Sequence, residues 1–137
     1  MINRKSRDEI KKMRHAGHIV ALVHKKMKEV LEAGISTREL DAIAMNVIKE
    51  NKAIPTFLGY NGFPGCICTS INEKVVHGIP SDKEIVKAGD IIAIDVGATY
   101  GGMVGDSAWS YAVGKISEDK QRLMKATEES LYAGISQ

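Results

Sequence analysis

Apolar residues in the first third of the chain recur at helical spacing. Ile10, Met13, Val20, Val23, Met27, Val30 and Leu31 fall close to a 3.6-residue period. Ser6-Arg7-Asp8-Glu9 stands in front of them as a capping box, with Ser at the N-cap and Glu three residues on. Gly34 reads as the stop, and Gly17 as a point of close approach. Ser36-Thr37-Arg38-Glu39 repeats the capping box and opens a second helix with Leu40, Ile43, Val47 and Ile48 on one face. A third helix begins at Ser117-Glu118-Asp119, acidic in its first turn, with Leu123, Met124, Thr127, Leu131 and Ile135 on one side. The first two helices are read as covers for a sheet.

From Ala53 the period changes. Residues 57–65, Phe-Leu-Gly-Tyr-Asn-Gly-Phe-Pro-Gly, form a glycine-rich loop with an aromatic lining, which suits plain packing or the wall of a ligand pocket. Cys66 to Ile71 reads as a short strand, and Val75 to Pro80 places a lone histidine, His77, between apolar neighbours and a turn. Lys87-Ala88-Gly89-Asp90 launches a hairpin. Its first strand, Ile91-Ile92-Ala93-Ile94, is short and mostly β-branched, and ends on Asp95. After glycines at 101 and 102 a return strand alternates, with Asp106, Ala108, Ser110 and Ala112 on one side and Ser107, Trp109, Tyr111 and Val113 on the other.

The hairpin poses a question of charge. The expected register, with a loop centred between Tyr100 and Gly101, sets Asp95 directly opposite Asp106; a turn at Gly101-Gly102 would make them diagonal neighbours on one face. An odd loop without a bulge separates them. Two carboxylates facing each other beside apolar strands need a shared proton, a cation or a metal ion. No Lys or Arg lies between Lys87 and Lys115, which leaves a proton or a metal, unless each aspartate simply caps a turn in solvent. His15 and His18 on the first helix could also share a face, but solvated helix histidines are far commoner than ligands.

Composition narrows the classes. With 137 residues, 44% hydrophobic and 26% charged, the chain is an ordinary globular domain with a modest core. A net charge of +2 does not point to nucleic acid, and no apolar run approaches the roughly 20 residues of a membrane span. Cys66 and Cys68 form no disulfide framework, so a reducing, cytoplasmic compartment is the expectation.

Taken in order, Lys12-Met13-Arg14 with Ala16-Gly17, Gly34-Ile35-Ser36-Thr37 with Glu39-Leu40-Asp41, Leu58-Gly59-Tyr60, Thr69-Ser70-Ile71-Asn72-Glu73, His77-Gly78-Ile79-Pro80, Gly89-Asp90-Ile91 and the span from Asp95 to Gly105-Asp106 resemble a type I methionine aminopeptidase over nearly the whole chain. Glu129-Ser130-Leu131-Tyr132 resembles the helix that opens that family's second half. The resemblance implies an α/β (α+β) half of a "pita-bread" fold, an antiparallel sheet covered by helices, with residues 1–137 as its N-terminal half and 117–137 as the first helix of the second. It implies that Asp95 chelates one metal and Asp106 bridges two, and that the metals act as Lewis acid and water activator. His77 is then the catalytic histidine beside the scissile bond, and Tyr60, Phe63 and Cys68, with Phe57 nearby, line a pocket for methionine. Phe63 stands where the family more often has tyrosine, which removes a hydroxyl but keeps an apolar wall.

The family completes its site with a histidine and two glutamates from its second half and a further histidine near the substrate. Here all four histidines lie at or before His77, and the glutamates after Asp106 are Glu118, Glu128 and Glu129, all on the third helix. The expectation is therefore an incomplete half-enzyme acting on N-terminal methionine peptides. Its two divalent ions (cobalt, manganese, iron or zinc) should bind weakly or in part, and it should self-associate through the exposed half-interface. A non-catalytic binding module on the same half-fold is the alternative. A prolidase-like peptidase fits the Leu-Gly-Tyr and Ser-Ile-Asn-Glu motifs less well.

Overall fold

A computed structural model describes residues 3–137. Helix α1 spans Arg7–Val30 and α2 spans Thr37–Glu50. Both capping boxes form: the Ser6 and Ser36 hydroxyls accept from the Glu9 and Glu39 amides, and the two glutamates accept from the serine amides in return. Helix α1 ends at Val30, before Gly34, which instead takes a left-handed φ of 103° in the link to α2.

Four strands follow: β1 (Ile54–Pro55), β2 (Ile67–Ile71), β3 (Ile91–Tyr100) and β4 (Met103–Ala112). All pair antiparallel with β3. Strands β1 and β2 lie along one edge of it and β4 along the other. Period-two alternation gives β3 two unlike faces. Ile92, Ile94, Val96 and Ala98 are fully buried against Ile19, Val20, Val23 and Met27 of α1 and Leu40, Ala44 and Ile48 of α2. Ile91, Ala93, Asp95 and Gly97 point the other way.

The β3–β4 turn is the two-residue Gly101-Gly102, with φ of 56° and 80°. Positive φ at both central positions suits the right-handed twist of the flanking strands, and glycine adopts it without steric cost. This turn selects the diagonal register: Asp95 pairs with Ala108 and Asp106 with Gly97, so the two carboxylates share a face as diagonal neighbours and are not directly opposed.

Two further features depart from the sequence reading. Close approach between α1 and the sheet depends on Gly105, where a Cβ would stand 2.5 Å from the Ala16 carbonyl carbon and the Gly17 amide nitrogen. A Cβ on Gly17 would touch nothing within 4 Å. Asp41 of α2, which carries part of the resemblance but was given no role, is buried and accepts from the Cys66 amide at 2.7 Å and the Ile67 amide at 3.1 Å, pinning the start of β2.

Helix α3 (Glu118–Ile135) follows the sheet and has no buried residue. Its first turn is tied down by Lys120, whose ammonium donates to Asn72 Oδ1 and the Gly89 carbonyl. Beyond that it leans over β2, β3 and β4 across a groove of about 750 Å³, lined by Ile91, Ala93 and Ala108 on one side and Leu123 and Leu131 on the other. Among the described residues no helix is long and apolar enough to cross a membrane.

Candidate active site

On the face of the sheet away from α1 and α2 lies a cavity of about 530 Å³. Phe57, Tyr60, Phe63, Cys68, His77, Asp95 and Asp106 all line it, so every site residue proposed from the sequence falls on one concave surface. Asn61, Gly62, Pro64 and Ile79 complete the wall. His15 and His18 take no part. His15 stacks on Tyr100 with ring centroids 4.1 Å apart, and His18 is exposed.

Each group is placed by its local backbone. Cys68 is the register partner of Asp95 across β2 and β3, so thiol and carboxylate share a face. Phe57 reaches over β3 at Gly97, where a Cβ would stand 2.6 Å from its ring. A lone glycine inside an apolar strand signals such an approach, and this one lets the aromatic wall lie beside the carboxylates. His77 sits at φ 59°, rare for a residue with a Cβ. It is held there by Gly78, whose amide donates to Ser70 Oγ and whose carbonyl accepts from the Thr69 amide at 2.9 Å. Any side chain on Gly78 would run into the Thr69 carbonyl oxygen, 1.8 Å from the Cβ position. Asn72, in the Ser-Ile-Asn-Glu stretch, is a structural clamp: its amide donates to Asp90 and its carbonyl accepts from the Ile91 amide as β3 begins.

The electrostatics centre on Asp95. Its Oδ1 is buried and has no hydrogen-bond partner among the described residues. Burial first, and then the Asp106 carboxylate, raise its pKa above the ordinary aspartate value, while His77 pulls the other way. Burial and the same aspartates push the Cys68 thiol up to about 11, which keeps it a neutral, apolar wall and no nucleophile at neutral pH. Among the described residues no three His, Cys, Asp or Glu side chains gather closely enough to hold a metal ion by themselves. The residues present nonetheless fit a divalent cation in part. They offer two carboxylates on one face, and an unpartnered buried oxygen lacks the cation or donor that such atoms normally have.

The fold and this face together define a class. A model of metallopeptidase family M24 matches residues 11–137, and the chain belongs to that family. Within it, the chain is similar to methionine aminopeptidases. It is 54% identical over 137 residues to methionine aminopeptidase 1 of Bacillus subtilis, covering all of this chain and 55% of that protein. It is 46% identical over 135 residues to the methionine aminopeptidase of Clostridium acetobutylicum, covering 98% of this chain and 54% of the relative. Its structure superposes on that of methionine aminopeptidase from Rickettsia prowazekii with a TM-score of 0.95 at 38% identity, over 98% of this chain and 54% of that one. The chain thus spans about half the length of the curated relatives it matches, and its fold is half of theirs.

Proposed function

We propose that residues 1–137 form the N-terminal half of a cytosolic methionine aminopeptidase and carry the substrate pocket together with part of the metal site. The observation that carries this reading is the meeting of Asp95, with its unpartnered buried oxygen, and Asp106 at the mouth of an apolar cavity that also holds His77. Asp95 and Asp106 hold divalent metal, with water filling the positions no residue here can reach. A divalent ion bound there supplies Lewis acidity and an activated water for peptide hydrolysis. Phe57, Tyr60, Phe63 and the neutral Cys68 bind the methionine side chain by apolar burial. His77, held at a strained backbone angle, presents its imidazole to the peptide next to the scissile bond, where it donates a hydrogen bond to developing negative charge.

Helix α3 belongs with the second half. Its exposed Leu123, Leu131, Tyr132 and Ile135 take their cover from that half, and alone they drive self-association. Two carboxylates hold metal weakly, so the chain by itself turns over little substrate. A non-catalytic module on the same half-fold is the second reading, favoured by the absence of a third converging ligand among the described residues.

The test is a chimera in which residues 1–137 replace the matched segment of the Bacillus subtilis relative. It should release methionine from a Met-Ala-Ser peptide in Mn2+, and lose that activity with Asp95→Ala or Asp106→Ala. A chimera that folds, by circular dichroism, yet is inactive in every metal would overturn the enzymatic reading.

A further inference from the structure

The two carboxylates are not equally well anchored. Asp95 lies on β3, with a strand on either side, whereas Asp106 lies on β4, whose only ladder partner among the described residues is β3. An edge strand has a neighbouring strand on one side only, so contacts from other elements add to what fixes its position. Helix α1 holds it at two points that bracket Asp106. One residue before, Gly105 lies against the helix backbone at Ala16-Gly17. One residue after, the Ser107 carbonyl accepts a hydrogen bond from His24 Nε2 at 3.1 Å.

That bond fixes the imidazole tautomer, because a carbonyl can only accept. With the proton on Nε2, Nδ1 of the neutral ring is an acceptor, and the Tyr111 hydroxyl lies 2.9 Å from it. The same hydroxyl is 3.2 Å from the His24 backbone carbonyl. His24 is half-buried on a helix whose neighbouring inward positions, Val23 and Met27, are wholly apolar. The ring's Nε2 adds a second donor to the Ser107 carbonyl, which the hairpin register already pairs with the Val96 amide.

We infer that His24 is a positioning residue for Asp106: it clamps β4 to α1 at Ser107 and Tyr111, and so sets where that carboxylate stands relative to Asp95. The inference rests on the reading of Asp95 and Asp106 as metal carboxylates. The experiment is Mn2+ binding to the 137-residue chain, with free ion followed by electron paramagnetic resonance, alongside amide hydrogen exchange over residues 105–108. Circular dichroism confirms that each variant is folded at the temperature used. His24→Leu should weaken Mn2+ binding about tenfold, the lower end of losses seen when partners of metal ligands are removed, and should speed exchange at 105–108. His24→Gln keeps an amide donor near the Nε2 position and should restore both to within about threefold. Faster exchange with unchanged Mn2+ affinity would make His24 merely structural and overturn the inference, as would a His24→Gln variant no better than His24→Leu. A wild-type chain that takes up no Mn2+, or takes up as much after Asp95→Ala, would overturn the metal reading itself and the inference with it.

Discussion

The two faces of β3 are built from the same ten residues and put to opposite uses. Toward α1 and α2, Ile92, Ile94, Val96 and Ala98 leave no surface exposed and belong to the apolar core. Away from the helices, the same strand offers a half-buried Ala93, the carboxylate of Asp95 and the bare backbone of Gly97. Helix α3 hangs over that second face and buries none of its own residues. Stability therefore resides on the helical side, which frees the other side to hold charge and open space that a core could not tolerate. The strand is continuous, so the core fixes the site's geometry without contributing an atom to it.

That contrast can be broken, and the expected effects fall in a clear order. The largest is on the helical face. Ile94→Ala removes a fully buried side chain from a packed core and should cost about 2–5 kcal/mol in denaturant unfolding. A cost under about 1 kcal/mol would mean that the core side does not carry the stability. Next is Gly97→Ala on the site face. The added methyl meets the Phe57 ring and should cost about 1–3 kcal/mol as overpacking. It should also lower the chimera's affinity for methionine-ended peptides by more than it lowers kcat, because it displaces a pocket wall and touches no carboxylate.

A smaller effect comes from acid. Burial lowers the pKa of His24 below its ordinary value, so the folded chain binds that proton less readily than the unfolded one. Between the unfolded value near 6.5 and the lowered folded value, the unfolded state holds more protons, and stability falls as pH falls. Above that window His24 contributes no pH dependence. Urea unfolding from pH 7.5 down to 5 should show this slope in the wild-type chain and a shallower one in His24→Leu. The smallest effect belongs to α3: Leu131→Ser should change stability by no more than about 0.5 kcal/mol, yet shift the chain toward monomer in sedimentation.

The contrast also explains what the sequence could show. Helices α1 and α2 were legible because capping boxes and apolar periodicity are local signals, and both are realised at Ser6 and Ser36. The pocket residues were legible through motif resemblance, since Phe57, Tyr60, Phe63, Cys68, His77, Asp95 and Asp106 come from four separate segments that no periodicity connects. The expected hairpin register, with Asp95 directly opposite Asp106, was wrong by one step: the turn falls at Gly101-Gly102, both with positive φ, and sets the two carboxylates diagonally on the shared face. Asp41, His24 and Gly97 were illegible as functional positions. Each matters only through a partner far along the chain: Cys66 for Asp41, Ser107 and Tyr111 for His24, and Phe57 for Gly97. Gly97 alone carried a local hint, a glycine inside an apolar strand.

Thermal unfolding with and without Mn2+ shows whether the open face of β3 and β4 is a partial metal site. An ion at free concentration c that binds only the folded chain stabilises it by RT ln(1 + c/Kd), and so raises the unfolding midpoint. Millimolar Mn2+ should raise the wild-type midpoint, and Asp95→Ala and Asp106→Ala should each abolish the rise while leaving the metal-free midpoint at or above that of wild type, since each removes one of two repelling carboxylates. An equal rise in all three proteins, or none in the wild type, would contradict a metal site there.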